Sequence, residues 1–526
     1  MQWEVTDGKV SEKDGHTDME RTGMKTAIKK GIKIYSPKIK KQKKIIRNIG
    51  IVFSLILFVS SIVFDIFVGG VNVLPNKYFL PLVLISNLFI ILFSIVLIKP
   101  KFRIWFKVII MLMGMFFCII FWIGCSYINK TYHFMDKIRS QGMITETYYV
   151  VVNKDSKYTK IDDLKDKKIG TFDEQIDIYD MAIKELSNKI KYERVEYKSV
   201  LGMSEELLDE NVDAIIISAY HKDSIEESIE NFKDGTKIID TIEVKVKEES
   251  SKQADVNVME ETFTIYVSGI DQYGDISTRS RSDVNMLVTV NTKNHEILLT
   301  SIPRDYYVQL HDTTGYKDKL THAGIYGINM SVNTIQDFLD INIDYYVRVN
   351  FSTLIDVVDI IGGIDVYSDK GFIPWTNTKL YIPEGNVHMN GAMALAFARE
   401  RYTYQEGDRH RVQNQQDVIT AIIKKVTSST TILTKYTTLL DELSNSFETN
   451  IKTSTITTLM KHQLDKMPSW TIKNYSLNGS DSYDYTYSAG MQKLYVMIPD
   501  KETVAKAKEY IDGMENGKTL KELGLE

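Results

Sequence analysis

Arginines with carboxylates close beside them occupy two segments that lie far apart in the chain. The first contains Arg281-Ser282-Asp283 and Ser301-Ile302-Pro303-Arg304-Asp305. The second contains Arg399-Glu400-Arg401, Asp408-Arg409-His410-Arg411 and Asn414-Gln415-Gln416. A guanidinium stays charged at every relevant pH, and its forked donors fit phosphate oxygens two at a time. Carboxylates add nothing to polyanion binding unless they hold a metal or orient a nucleophile. Arginine and aspartate together therefore point to a phosphate or pyrophosphate site assisted by Mg²⁺ or Mn²⁺. Any one Arg-Asp pair reads more simply as a surface ion pair; the repeated pattern carries the inference.

Those residues must be held by particular elements. Phe263 to Asp271 reads as a strand in which Gly269 permits a tight exit that presents Asp271. Asn285–Asn291 and Glu296–Ile302 read as two more strands, with Asp283 just before one and Arg304 just after the other. Helical patterns follow near 332–339 and 351–361, the second stopped by Gly362-Gly363 ahead of the strand Ile364–Tyr367. Met393–Phe397 is expected to be a helix delivering Arg399 and Arg401, and Gln415–Val426 an amphipathic helix beginning after the Asp408 cluster. The C-terminal part reads as helix to about Met467, a strand at 495–498 and a helix at 501–512, and is expected to complete the sheet.

The rest of the chain constrains where this chemistry happens. The net charge of −5 over 526 residues averages unlike regions. From Arg21 to Arg47 there is no acidic residue, and three apolar runs follow at about 51–70, 79–98 and 108–127. Each is roughly 20 residues, enough to cross a hydrocarbon core as a helix. Lys99, Lys101, Arg103 and Lys107 lie between the second and third runs, while Lys77 alone lies between the first two. The positive-inside rule then places the N-terminus in the cytoplasm and everything after about residue 128 outside. Asp65 sits near the outer end of the first run and reads as a residue reaching the headgroups. Both cysteines, Cys118 and Cys125, fall in the third run, so no disulfide is expected outside.

The expected organisation is a basic cytoplasmic tail at 1–47, three transmembrane helices within 48–127 and a connecting helix at 128–143. An accessory α/β domain at 144–245, a charged linker at 246–260 and a main domain at 261–515 follow. The accessory region alternates β-rich runs (148–152, 168–171, 212–218) with helices and loosely resembles one lobe of a solute-binding protein.

In order, Arg281–Asp283, Ser301–Asp305, Lys319-Leu320-Thr321-His322-Ala323, Val357–Gly363, Arg399–Arg401 and Asp408–Gln416 resemble the motifs of the LytR-CpsA-Psr family of cell-envelope proteins. Three spans and an extra exterior domain resemble its streptococcal capsule-type branch. The resemblance implies a twisted mixed sheet flanked by helices, with an apolar groove for a lipid tail and arginines at its mouth. It implies a metal-dependent transferase attaching a polymer carried on polyprenyl pyrophosphate, here a capsular polysaccharide, to peptidoglycan, together with polyprenyl pyrophosphate phosphatase activity. Arg281, Arg304, Arg399 and Arg401 would hold the pyrophosphate, Asp271 and Asp283 the metal. Asp408 and Gln415 would close the head-group site with Arg411 nearby, and Lys319 is a weaker candidate. Where many relatives place an arginine, this chain has Asn414, which leaves open which basic side chain of that segment meets phosphate.

His322, His388 and His410 are scattered singly, and each reads first as a packed or surface histidine. Further partners expected are the membrane and other capsule-assembly proteins. A regulatory or docking protein without catalysis is the alternative. Nucleic acid is not expected, because the basic stretch abuts a membrane span and shows no base-reading motif.

Overall fold

The computed structural model describes residues 37–526 except 72–73, 140–142, 173–176, 248–253, 272, 274–275, 277–278, 429–446, 490–492 and 526. Most of the basic tail therefore lies outside the described residues. Two compact units are present, 1–129 and 130–526.

The described part of the first unit is helical: α1 (Pro37–Val71), α2 (Asn76–Ile98) and α3 (Ile104–Arg139), the last running on past residue 129. Each contains an apolar stretch long enough to cross a membrane, at 41–70, 76–98 and 104–130. Few of these side chains are buried against protein, as expected when lipid is the solvent for the outer faces. Phe53, Leu57, Phe117 and Phe121 fill the seam between the helices. The segment expected as a separate connecting helix continues α3 without a break to Arg139.

The accessory region opens with β1 (Met143–Asn153), β2 (Lys168–Phe172), α4 (Asp177–Lys189) and β3 (Glu193–Tyr197). It closes with α5 (Val200–Leu208), β4 (Ala214–Ser218), α6 (Ala219–Ser228) and β5 (Thr236–Lys247). The sheet runs β3-β2-β4-β1-β5, with β2 parallel to both its neighbours and β1 antiparallel to both of its own. Residues 246–247, the first two assigned to a linker, are instead the end of β5 and pair with 143–144. Ile242, Val244 and Val246 explain this, since their two-residue spacing puts them on one face against the core.

The main domain is built on β6 (Phe263–Ile270), β7 (Ser282–Asn291), β8 (Glu296–Ile302), α7 (Ile328–Leu339), β9 (Tyr345–Val349) and α8 (Phe351–Ile360). Next come β10 (Ile364–Ser368), β11 (Gly385–Met389), α9 (Gly391–Ala398) and α10 (Asp408–Ser428). The chain ends with β12 (Phe447–Thr449), α11 (Thr453–Lys466), β13 (Thr471–Ser476), β14 (Gly479–Tyr485), β15 (Lys493–Pro499) and α12 (Lys501–Glu515). Six strands form one mixed sheet in the order β12-β9-β6-β7-β8-β13. The C-terminal region completes it, as expected, by adding β12 and β13 at the two edges.

Alternation along β6 sends Tyr266 to one face and Phe263, Ile265 and Val267 to the other. Helices α7 and α12 cover the Tyr266 face, with Ile335, Leu339, Ile511 and Met514 buried there. Helices α10 and α11 cover the other through Ile419, Ile423, Ile456 and Leu459. That second interface widens into a cavity at the C-terminal end of β6.

Helix α10 begins at Asp408 and not after the Asp408–Gln416 cluster, which therefore lies on the helix itself. Gly407, at φ 57°, supplies the turn that allows this early start. Arg411 and Gln415 consequently share one helical face four residues apart.

Candidate functional site

A cavity of about 190 Å³ lies between the sheet and helices α8, α9 and α10. Its walls are apolar: Val267, Val284, Val349, Leu354, Leu395, Val418 and Ile419. Arg281, Arg304, Arg399, Arg401, Arg411 and Gln415 also line it, together with Asp271 and Asp283. Eight of the ten residues singled out from the sequence thus converge on one volume. Lys319 and Asp408 do not line it. Lys319 reaches Asp305 at 3.2 Å, and Asp408 holds Arg411 at 2.7 Å, so each acts one step removed.

The strands fix the acidic side of the site. Asp283 is the second residue of β7, not a loop residue before it. Its carboxylate accepts from Arg304 Nη1 at 2.7 Å and from the Thr321 hydroxyl at 3.0 Å. Burial works to raise the Asp283 carboxyl, but Arg304, Arg281 and Arg411 prevail and hold it well below the usual carboxylate range. Asp305 behaves alike: burial opposes, and Arg304 and Lys319 keep it ionised. Asp271 goes the other way. Burial and the nearby Asp283 charge raise it, despite Arg399, 3.5 Å away, Arg281 and Arg304.

Gly269 is required for a reason other than a tight exit. Its φ is not among the positive ones, but a Cβ there would meet the Val284 side chain at 2.8 Å. The glycine lets β6 pair closely with β7 just before Asp271, with Asp283 in the facing strand.

The basic side is held by aromatic rings. Arg399 lies over Phe351 at 4.2 Å and Trp375 at 5.8 Å; Arg401 lies over Tyr402 at 4.8 Å and Trp375 at 5.6 Å. Such stacking restrains a guanidinium while leaving its edge donors available. Glu400, 1% exposed, points inward and accepts backbone N–H groups of Trp375, Tyr402 and Thr403, which fixes the turn carrying both arginines. The Nε atoms of Arg401 and Arg411 are buried and make no hydrogen bond among the described residues. Buried donors of this kind call for an acceptor, and an anion in the cavity would supply it.

Asn414 is 1% exposed and donates to the Phe397 carbonyl at 3.1 Å, outside the cavity lining. The basic side chain of that segment at the site is therefore Arg411, while Arg409 turns to the Gly479 carbonyl. None of the three histidines lines the cavity. His322 is buried against Asp318, His388 pairs with exposed Asp365, and His410 stacks on Tyr404.

Thr321, Asp305, Phe351 and Trp375 were not singled out as site residues. Thr321 lies inside the quoted Lys319–Ala323 motif and Asp305 follows Arg304, so adjacency was the available signal. Phe351 and Trp375 carry none, because their role exists only once the chain folds.

The chain thus combines three membrane-length helices with a mixed α/β domain whose cavity brings arginines and carboxylates beside apolar walls. The profile of the LytR_cpsA_psr family matches residues 229–509, and the chain belongs to that family. It is 37% identical over 192 residues to the polyisoprenyl-teichoic acid–peptidoglycan teichoic acid transferase TagU of Bacillus cereus, an alignment covering 36% of this chain and 61% of that one. To TagV of Bacillus subtilis, with the corresponding name, it is 33% identical over 261 residues, covering 48% of this chain and 65% of that one. The crystal structure of B. subtilis TagV aligns over 49% of this chain and 99% of its own, at 32% identity and a TM-score of 0.42. The chain thus spans less than two-thirds of the length of these curated relatives.

Proposed function

We propose that this protein transfers a glycopolymer from a polyprenyl pyrophosphate carrier to peptidoglycan on the outer side of the membrane. One observation carries the reading: five arginines line a cavity whose walls are largely apolar. That combination suits a ligand with a charged phosphate head and a hydrocarbon tail, and suits neither a soluble sugar nor a neutral lipid. The names of the relatives support glycopolymer transfer to peptidoglycan.

The acceptor hydroxyl would attack the polymer end bonded to the lipid pyrophosphate. The bond to the leaving group breaks, the hydroxyl proton passes to a base, and negative charge develops on a phosphate oxygen of the departing lipid. Arg281, Arg304, Arg399, Arg401 and Arg411 face that charge from fixed positions, so little reorganisation is needed at the moment of transfer. With water in place of the acceptor, the same site would release phosphate from polyprenyl pyrophosphate.

Asp271 and Asp283 fit a divalent cation. Their donors are hard oxygens, and the repulsion that raises Asp271 beside Asp283 is what a cation would relieve. Among the described residues no cluster of three or more metal-ligating side chains forms, so phosphate oxygens and water would complete the shell, as is usual for Mg²⁺. The ion would draw charge from the pyrophosphate. The carboxylates would hold it, and Thr321 would orient Asp283.

Three spans and the additional domain ahead of the core favour a capsular polysaccharide as the polymer, with the basic stretch cytoplasmic. The test uses the full-length chain in liposomes with Mg²⁺, peptidoglycan and either a capsular or a teichoic acid lipid donor, counting polymer bound to peptidoglycan. Attachment by the wild type that fails in Asp283→Asn is expected. No attachment from either donor, with both lipids unbound, would sink the reading.

A further inference from the structure

A buried ion pair joins the accessory sheet to the run of chain that carries Arg281. Glu146 lies on β1 and is 4% exposed. It shares a face with Tyr148, Val150 and Val152, all buried in the accessory core. A carboxylate in line with such residues is costly to bury unless a cation meets it. Arg279 of the main domain does so: its Nε lies 3.2 Å from Glu146 Oε1, and its side chain is 10% exposed. We propose, on the pyrophosphate reading of the cavity, that Glu146 is a positioning residue for the anion site and holds Arg281 in place through Arg279.

Arg281 has need of such support. The ladder between β6 and β7 ends at the pair Ile270–Ser282, so Arg281 lies one residue outside it. Strand pairing therefore does not set the direction from which it enters the cavity. Two contacts fix the backbone on either side of it. At Gly324 a Cβ would meet the Ser280 carbonyl oxygen at 2.7 Å and the Ser282 nitrogen at 2.8 Å, so the chain there packs directly on this run. Arg279, two residues before Arg281, ties the same run to β1.

Stability alone does not account for the pair. Desolvation offsets the attraction of buried charges, and apolar residues of similar volume commonly replace them without loss. What an apolar pair lacks is direction. Charge and the forked guanidinium hold one arrangement of the run, where aliphatic packing tolerates several.

The acidic side of the site has its own link to the accessory domain. Ser199, the N-cap of α5, donates to the Ala489 carbonyl at 3.4 Å. The adjacent Ser488 meets His322 Nδ1 at 2.8 Å through its hydroxyl and donates its N–H to Asp318 at 2.9 Å. Asp318 and His322 bracket Lys319 and Thr321, which reach Asp305 and Asp283. The accessory domain thereby becomes a working part of the transferase.

The test measures the affinity of the full-length chain in detergent for a polyprenyl pyrophosphate and for the polyprenyl alcohol of the same length, with the Tm of each variant. Glu146→Gln should weaken pyrophosphate binding about tenfold, the worth of one charge-assisted hydrogen bond, and leave alcohol binding unchanged. Removing a negative charge near an anion would by electrostatics alone strengthen binding, so the direction of the change is diagnostic. In an Arg281→Ala background, Glu146→Gln should cost nothing further. Glu146→Leu combined with Arg279→Met should melt no lower than wild type, yet bind pyrophosphate as weakly as Glu146→Gln. Wild-type affinity in Glu146→Gln, losses that add to those of Arg281→Ala, or an apolar pair that restores binding together with stability would overturn the role of Glu146. Equal wild-type affinity for pyrophosphate and alcohol would take down the pyrophosphate reading, and this role with it.

Discussion

Replacing Arg304 separates the structural from the chemical work of the arginine cluster. Its side chain is 16% exposed and holds two carboxylates: Asp283 at 2.7 Å through Nη1 and Asp305 at 3.4 Å through Nε. Those carboxylates are themselves only 12% and 11% exposed. Arg304→Ala would remove the guanidinium that holds both, leaving Arg281 and Arg411 for Asp283. Removing one partner of a buried ion pair costs about 3–5 kcal/mol. Lys319, still 3.2 Å from Asp305, should keep the loss near the lower figure. Against a total stability of roughly 5–15 kcal/mol that is a large fraction. Arg304→Lys keeps the charge and loses the fork, so it should melt close to wild type while transfer falls about 10²–10³-fold, as when one preorganised donor is removed. Chemical denaturation of the full-length chain in detergent, read beside polymer transfer, checks both. A lysine variant as active as wild type, or an alanine variant as stable, would refute the reasoning.

Four other outcomes follow from the geometry. Thr321→Val removes a donor to a charged acceptor, worth about 1.5–3 kcal/mol, and should slow transfer with little effect on lipid binding, measured as a kcat loss at unchanged KM. Asp271 is raised by burial and Asp283, and only its ionised form can hold a cation; Mg²⁺-dependent activity should therefore fall with decreasing pH at a value above the ordinary 3.8, and a pH–rate profile with its acid limb at or below 3.8 would contradict this. Asp417 is raised to about 6 by burial and Asp369, so its favourable contribution is complete below the unfolded value of 3.8 and is lost as pH rises through about 6. Asp417→Asn should accordingly raise the Tm near neutral pH and flatten its pH dependence across that window. Arg348 and Glu448 are 3% and 9% exposed and 3.3 Å apart across β9 and β12; Glu448→Gln should cost about 3–5 kcal/mol in denaturant unfolding, and replacing both by apolar residues should recover most of it.

Much of the fold was legible because it rests on local patterns. Twenty-residue apolar runs have one stable form in a bilayer, and β-branched alternation such as 263–267 defines a strand wherever it packs. The early part of α10 was not legible. Asp408-Arg409-His410-Arg411-Val412-Gln413-Asn414 has no apolar period, and its helical state depends on tertiary partners, including the Asn414 bond to Phe397. Residues 246–247 were assigned to the linker for the complementary reason: Lys and Glu dominate 245–249, while the pairing with 143–144 that makes the two residues strand lies a hundred residues away. At the site, the charged residues announced themselves by type. The aromatic rings under Arg399 and Arg401 did not, because an isolated Trp or Phe in a sequence reads as core.

The divergent behaviour of Asp271 and Asp283 also emerged only from the fold. Asp271 follows β6 and Asp283 lies in the neighbouring β7, but Asp283 is surrounded by three guanidiniums while Asp271 feels chiefly burial and its neighbour's charge. Two carboxylates pushed in opposite directions beside an anion site are a common arrangement for dividing roles in catalysis.

The central claim is that the arginine-mouthed cavity recognises pyrophosphate and hydrocarbon together. Its most direct test is the affinity of the full-length chain in detergent for a polyprenyl pyrophosphate and for the polyprenyl alcohol of the same length, in wild type and in Arg401→Ala. The pyrophosphate should bind at least tenfold more tightly than the alcohol, and Arg401→Ala should narrow that gap while leaving alcohol binding unchanged. Equal affinity for the two lipids, or a gap untouched by the substitution, would contradict the account.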